Sequence, residues 1–186
     1  MKKTTLLTLM LLCVLTSMAQ AGDIAIKGKI EGIKKGRLYL LARSGEEQTD
    51  TLGYCDFKRG KFTLTAVAEE PVVAQLVVDG FAGGFTLFAE PGVTYEANLS
   101  EGDNYYIRGG QLNDSYTAHV KESAAMRKAI DGMQSRYDSL RTARKFRSAS
   151  QVNDSLQRQQ NALRELTNTF LGSNDNIIAA YTIYSN

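Results

Sequence analysis

The first half of the chain alternates apolar and polar residues with a period of two. In the segment DIAIKGKI, Ile24, Ile26 and Ile30 share one side, and mostly charged or small residues share the other. This is the pattern of a strand with one buried face. Six more short segments, each rich in β-branched or aromatic residues and bounded by turn residues, follow before residue 110: GRLYLLAR, KFTLTAV, VVAQLVVD, GFTLFAE, VTYEANL and NYYIRG. Turns recur about every ten residues, so the pattern predicts an antiparallel β-sandwich, or a partly open barrel, of about seven strands.

After Asn113 the spacing of the apolar positions changes to three or four, which predicts two amphipathic helices in a hairpin. These stripes, each interrupted by polar members, are Tyr116, Val120, Ser123, Arg127, Ile130, Met133, Tyr137 and Leu140 in the first helix, and Val152, Leu156, Gln159, Leu163, Leu166 and Phe170 in the second. Ser148 and Gln151 fit a capping box at the start of the second helix, and Gly172 suits its end. Residues 173–175 then offer caps for a third, apolar helix, NIIAAYTIYSN. The predicted fold class is therefore α+β, with an antiparallel β domain over 22–112 and a helical connector over 113–186.

The amino terminus has the features of a signal peptide. Lys2 and Lys3 precede an apolar stretch, Thr4 to Met18, and the triplet Ala19-Gln20-Ala21 fits an A-x-A cleavage site. We therefore expect cleavage between Ala21 and Gly22 and a periplasmic or cell-envelope location. The alternative, an uncleaved anchor, is disfavoured by the A-x-A triplet. No later stretch approaches the roughly 20 apolar residues of a membrane span, so none is expected after cleavage.

Removal of the signal peptide changes the charge and the cysteine content. Loss of Lys2 and Lys3 leaves 20 of the 22 basic residues against 20 acidic ones, so the formal charge becomes zero. A neutral chain has no overall field to attract nucleic acid, and no nucleic-acid partner is expected. Only Cys55 remains, which excludes an internal disulfide and a Cys-x-x-Cys motif. Cys55 is predicted to be a small buried residue; the alternatives are a reactive free thiol or an intermolecular disulfide.

One group of residues near the start of the first helix could be either catalytic or purely structural. Ser115 and His119 are four residues apart and would share a helix face, with Asp114 as a nearby acid. A serine at a helix start and a histidine on the surface explain the same residues without catalysis, and no G-x-S-x-G elbow accompanies them. The sequence therefore predicts no catalytic, cofactor-binding or metal-binding residue. The acid pairs Glu46-Glu47 and Glu69-Glu70 flank turns and lack the histidines or D-x-D loop of a metal site.

Three segments are candidates for binding or for special turns. RTARKFR, residues 141–147, places four cations around Phe146 and suits either anionic lipid or the solvated end of a helix. DGFAGGF, residues 79–85, is predicted to be a flexible hairpin loop with Phe81 at its tip. Glu90-Pro91-Gly92 predicts a type II turn, with Glu90 exposed as its first residue, because proline presets one φ and glycine supplies the positive φ.

The order of several segments resembles a known family. IKGKIEGIKKGRLYLLA, DTLGYCDFKRGKFTLTA, EEPVVAQLVVDG, FTLFAEPGVTYEANL and YIRGGQLND appear in sequence between residues 24 and 113. Together they resemble an uncharacterised exported β domain of Gram-negative bacteria, one of the families of unknown function. That domain stands N-terminal to a thioredoxin fold of the thiol–disulfide interchange or AhpC/TSA peroxidase-like type.

The resemblance implies a role without chemistry in this chain. The family's redox work belongs to a Cys-x-x-Cys in the later domain, so no catalytic residue carries over. We expect a binding or positioning module of an exported thiol–disulfide oxidoreductase-like protein, cut off within the connector before the thioredoxin-like domain. Its partner would be an attached or separate thioredoxin-fold domain. The alternative is a free-standing periplasmic binding protein that takes a protein or peptide ligand on loops such as 79–84.

Overall fold

The computed structural model describes residues 22–43, 49–100 and 105–185. The predicted signal peptide and the pair Glu46-Glu47 lie outside these ranges. The chain divides into two compact units, Met1–Ile107 and Arg108–Asn186. The first unit contains the strands, and the second contains the helices.

The strands form an eight-stranded, nearly closed, barrel-like sheet. Their bounds are β1 Gly22–Ile30, β2 Lys35–Arg43, β3 Thr49–Lys58, β4 Lys61–Ala68, β5 Val72–Val78, β6 Phe85–Ala89, β7 Thr94–Leu99 and β8 Tyr106–Arg108. The order across the sheet is β6-β5-β2-β3-β4-β1-β7-β8. β1 is antiparallel to β4 but parallel to β7, so the sheet is not wholly antiparallel. The predicted α+β class is confirmed, and of the two predicted forms, a sandwich or a partly open barrel, the single nearly closed sheet is nearer to the barrel.

The predicted number of strands was one too low, because β3 breaks the alternation that identified the others. Opposite β2, Leu40 pairs with Gly53 and Leu41 pairs with Thr51, so Leu52 is an extra, bulged residue. A side-chain carbon on Gly53 would lie 2.5 Å from the carbonyl oxygen of Thr65. The glycine that weakened the strand pattern therefore lets β3 cross close to β4.

Every strand of the barrel sends apolar side chains into one core, as the period of two predicts. The largest fully buried side chains of this unit are Ile24, Ile26, Leu38, Leu40, Phe57, Leu64, Leu76, Leu87, Phe88, Tyr95 and Leu99. In β1 the inward position between Ile26 and Ile30 is Gly28. A β-carbon there would collide with the carbonyl oxygen of Ala97 in β7, so only glycine allows the parallel pair to approach.

The strand directions place three described connections at the same end of the barrel, and we call these connections and the strand ends beside them the mouth end. They are 31–34 between β1 and β2, 59–60 between β3 and β4, and 79–84 between β5 and β6. The turn at Glu90-Pro91-Gly92 lies at the opposite end. Gly92 has φ +78°, and Val93 N–H donates to the Glu90 carbonyl at 3.3 Å, which confirms the predicted type II turn. Glu90 is half-buried rather than exposed.

The second unit contains the predicted helical hairpin and the third helix: α1 Gln111–Thr142, α2 Phe146–Gly172 and α3 Ile177–Ser185. No helix in the described part of the chain is long and apolar enough to cross a membrane.

The predicted helix ends were wrong in detail. α2 begins at Phe146, with Lys145 as its N-cap and no side-chain cap, so Ser148 lies inside the first turn. Arg144, at φ +54°, lies in the turn between the two helices, so α2 starts before Ser148 and the predicted capping box does not mark its start. Gly172 is the last helical residue, and Ser173 after it stays right-handed. α3 is capped by Asn176, whose Oδ1 accepts from Ile178 N–H at 3.1 Å.

Candidate functional site at the mouth end

An apolar cavity opens at the mouth end of the barrel, and we call it the mouth cavity. Its volume is about 700 Å³. Core residues form its floor, and the rim comes from loop 79–84 and from Tyr105; the lining includes Ile30, Ile33, Leu76, Val78, Phe81, Phe85, Leu99, Ser100 and Tyr105. Sheet order explains its position, since β6 and β8 are the two edges of the open sheet. The rings of Phe85 and Tyr105 approach to 5.0 Å between centroids and bring these edges together.

Glycine shapes the loop that borders the mouth cavity. Gly80 and Gly83 have φ of +78° and +84°, a backbone conformation that most residues avoid. The sequence analysis predicted this hairpin loop with Phe81 at the tip, and Phe81 is 54% exposed. An exposed ring beside an apolar cavity is a feature of a contact surface.

The described lining of this cavity includes the polar residues Glu31, Ser100 and Tyr105. The hydroxyl of Ser100 is buried, and within the described ranges it has no hydrogen-bond partner. The sequence pattern did not identify Ser100, because it follows a strand as an ordinary loop residue and joins loop 79–84 in the cavity lining only in the folded barrel.

A basic groove of about 1280 Å³ adjoins the cavity on the other side of connection 31–34. Its cations include Lys34, Lys35, Lys58 and Arg59. In the same groove, two nitrogens of the Arg37 guanidinium donate to the carboxylate of Asp56. The distances are 2.8 Å from Nε to Oδ1 and 3.3 Å from Nη2 to Oδ2. The hydrogen bond from Arg37 lowers the pKa of Asp56 and Asp56 raises the pKa of Arg37, so both groups keep their charge.

The structure does not assemble Asp114, Ser115 and His119 into a catalytic group. Asp114 Oδ1 accepts from the Gly109 N–H at 3.0 Å and holds the start of α1. His119 is buried, not on the surface as expected, and its Nε2 lies 3.5 Å from Ser123 Oγ. The helical spacing of four residues that suggested Ser115 applies equally to Ser123, on the other side of the histidine.

His119 is a packing residue between two helices. Its ring stacks on Phe170 of α2, with 4.0 Å between centroids and an angle of 6°. Burial, and then the positive charge of Arg127, lower the pKa of His119, and Glu122 opposes them weakly. The Nδ1 atom is buried and lacks a hydrogen-bond partner in the part of the chain that the structure describes. A neutral imidazole suits this environment.

The remaining candidates stay as separate features. Cys55 is a free, half-buried thiol, and burial followed by the charge of Asp56 raises its pKa. The segment 141–147 spans the turn from α1 to α2, and Phe146 within it is exposed. Over residues 22–43, 49–100 and 105–185, no three His, Cys, Asp or Glu side chains are grouped as metal ligands.

A comparison with known protein families identifies the family of the β unit. A family model described as a domain of unknown function, DUF4369, matches residues 24–116, which is half of the chain. The chain belongs to the DUF4369 family. The DUF4369 match begins in β1, includes β2 to β8 and ends within the second turn of α1. No curated protein is significantly similar to the chain.

Proposed function

We propose that this chain is the non-catalytic binding and positioning module of an exported, thiol–disulfide oxidoreductase-like protein. The observation that carries the proposal is the apolar surface of α3. Ile178 and Ala179 are buried, whereas Ile183 and Tyr184 on the same short helix are 68% and 76% exposed. A helix that is apolar on both its packed and its exposed sides is suited to a second apolar contact.

The chemistry of the chain fits a positioning role. Dithiol exchange needs two cysteines that react in turn, and Cys55 is the only cysteine after the predicted signal peptide. The raised pKa keeps Cys55 protonated, and a protonated thiol is a poor nucleophile. In this proposal the electrons are carried by a thioredoxin-fold domain, attached or separate, and the exposed residues of α3 hold that domain in place.

Site-specific photo-crosslinking tests this function. Ile183 is replaced by p-benzoylphenylalanine in the exported protein, and the matched control carries the same group at Glu165, an exposed position on α2. After irradiation, peptide mass spectrometry identifies what each position contacts. Attachment to a thioredoxin-fold domain from position 183 and not from 165 is the expected result. Attachment only to other classes of protein, or none at all from 183, would contradict the proposal.

The mouth cavity favours a second candidate function, a free-standing binding protein. Phe81 and the apolar residues of the cavity lining would hold an apolar ligand. Binding of the neutral dye N-phenyl-1-naphthylamine measures whether the mouth cavity takes an apolar ligand. The dye should bind the native protein and be lost in Phe81→Asp, while Val67→Asp, a change at an exposed site on β4, should retain it. Equal binding by both variants would exclude the cavity as the site.

A further inference from the structure

Four lysines form a row across four adjacent strands at the mouth end. Lys35 of β2 lies directly opposite Lys58 of β3, Lys58 lies opposite Lys61 of β4, and Lys61 lies opposite Lys29 of β1. All four side chains are exposed on the outer face of the sheet. We call this set the lysine row. Neighbouring strands are about 4.8 Å apart, so the row extends over roughly 14 Å.

The lysine row is unfavourable for the folded barrel by itself. Like charges directly opposite each other on neighbouring strands destabilise a sheet. The next pair of opposite residues on the same face of β2 and β3, two residues away from Lys35 and Lys58, is Arg37 and Asp56. These two side chains attract each other. Within the row, Lys29 is paired with Glu31 at 3.1 Å, and the other three have no ion pair among the residues that the structure describes. This arrangement leaves positive charge available for an external anion.

Other groups at the mouth end strengthen this character. Lys34 and Arg59 lie in the connections next to the row and are also exposed. The described acids here are Glu31, which already binds Lys29, Asp56, which already binds Arg37, and Asp79. Loop 79–84 carries the exposed ring of Phe81 at the same end. The barrel therefore ends in a positively charged rim beside a protruding aromatic side chain.

We infer that the mouth end docks on the surface of a bilayer that contains anionic lipids. Lysine ammonium groups act as hydrated point charges on flexible stems, which suits a diffuse layer of headgroups, whereas recognition of single carboxylates or phosphates favours the arginine fork. The arginine best placed for such recognition, Arg37, is already bound to Asp56. The exposed ring of Phe81, at the same end as the lysine row, can enter the interface. This inference does not depend on the proposed oxidoreductase partner.

Vesicle binding tests the inference. The exported protein, with loss of residues 1–21 checked by intact mass, is sedimented with phosphatidylcholine vesicles that contain no anionic lipid or about one third phosphatidylglycerol. We expect binding to the anionic vesicles only, and we expect it to weaken as the salt concentration rises, because screening shortens the range of the attraction. Equal binding to both vesicle types would overturn the inference.

Two quadruple variants with the same change in charge locate the binding surface. The first replaces Lys29, Lys35, Lys58 and Lys61 by Gln, and the control replaces Arg141, Arg144, Lys145 and Arg147 by Gln in the other basic segment. The lysine-row variant should lose at least about 100-fold in vesicle affinity, since each of the three lysines without a described ion pair contributes roughly fivefold near an anionic surface. The control should change by less than about threefold. The reverse order, or equal losses, would assign binding to the helical turn or to net charge and would contradict the row.

Further measurements separate lipid docking from a folding defect and from an acidic protein partner. The thermal midpoint of the lysine-row variant should equal or exceed that of the native protein, since repulsion has been removed. Phe81→Ser should weaken vesicle binding even at high salt, because its contribution is apolar. If soluble polyglutamate instead binds the lysine row and Phe81→Ser has no effect on vesicle binding, the occupant is an acidic polypeptide and the bilayer inference is wrong.

Discussion

At the scale of single residues, the turn opposite the mouth end shows how one buried side chain holds a corner. The hydroxyl of Tyr95 accepts from the Glu90 N–H at 2.8 Å and donates to the Phe88 carbonyl at 2.9 Å. Tyr95 is itself buried in the core. Pro91 and Gly92 set the turn geometry, but Tyr95 ties the turn to the barrel. The sequence predicted the turn from Pro91 and Gly92, whereas the role of Tyr95 depends on a contact that no local pattern contains.

Gly92→Val should lower the free energy of unfolding by about 1 kcal/mol or more. The φ of +78° is unfavourable for a β-branched residue. A β-carbon at Gly92 would meet nothing within 4 Å, so the effect measures backbone strain without a steric collision. Urea denaturation gives the value. Gly92→Asn is the control and should lose less, because asparagine tolerates this region; equal losses in both variants would contradict the explanation.

Tyr95→Phe should lower the free energy of unfolding by about 1–3 kcal/mol, because it removes both hydrogen bonds of the hydroxyl within the core. Glu90→Gln changes the side chain of the same turn and leaves its backbone N–H in place. That control should alter stability by no more than about 0.5 kcal/mol, because glutamine keeps the size of the side chain and the backbone hydrogen bonds of the turn. Both are measured by urea denaturation. A large loss in Glu90→Gln would indicate a role for the carboxylate itself.

At the scale of secondary-structure elements, two helices meet through His119, and the contact makes the helical unit sensitive to pH. The lowered pKa means that the unfolded chain binds a proton on His119 more readily than the folded chain does. His119 therefore contributes stability at pH values above 6.5, the ordinary pKa of histidine. This contribution is lost as the pH falls through the lower pKa of the folded state.

The pH dependence of unfolding tests this contact. The free energy of unfolding of the helices, followed by circular dichroism in urea, should decrease as the pH falls below 6.5. His119→Phe keeps an aromatic ring against Phe170 and cannot be protonated, so its stability should vary less over the same interval. An identical pH profile for the variant and the native protein would show that other groups dominate.

The hairpin between β3 and β4 offers a stabilising change at the same scale. Arg59 and Gly60 form a two-residue connection between Lys58 and Lys61, and both have positive φ, at 54° and 71°. Asn-Gly is the preferred pair for such turns. Arg59→Asn should therefore raise the free energy of unfolding by about 0.5 kcal/mol. Arg59→Val, which disfavours positive φ, should lower it; urea denaturation that gave the reverse order would contradict the turn assignment.

At the scale of the whole molecule, local periodicity predicted the elements better than their arrangement. Seven of the strands and the helical hairpin follow from periods that each residue shares with near neighbours. The parallel pairing of β1 with β7 and the closeness of Gly28 to Ala97 depend on contacts between distant segments. The mouth cavity and the lysine row are of the same kind, because register and strand order bring their residues together from four or more segments.

Cys55 determines whether the chain can form disulfide-linked dimers, and its environment opposes this. Burial and the charge of Asp56 raise the pKa of the thiol above its ordinary 9.0, so little thiolate exists near neutral pH. Iodoacetamide should react with Cys55 more slowly in the native protein than in urea, and a non-reducing gel should show monomers. Asp56→Asn should accelerate the native reaction by about twofold or more, because it removes the second cause of the raised pKa.

A second variant, Arg37→Gln, separates the effect of the Asp56 charge from local opening of the sheet. Asp56→Asn also frees Arg37, so a faster reaction could arise from local loosening of the sheet as well as from charge. Arg37→Gln breaks the same ion pair but leaves the Asp56 charge beside the thiol. If charge controls the thiol, Arg37→Gln leaves the reaction no faster than in the native protein. If both variants react equally fast, opening of the β2–β3 pair exposes Cys55, and its protection comes from the strand contact instead.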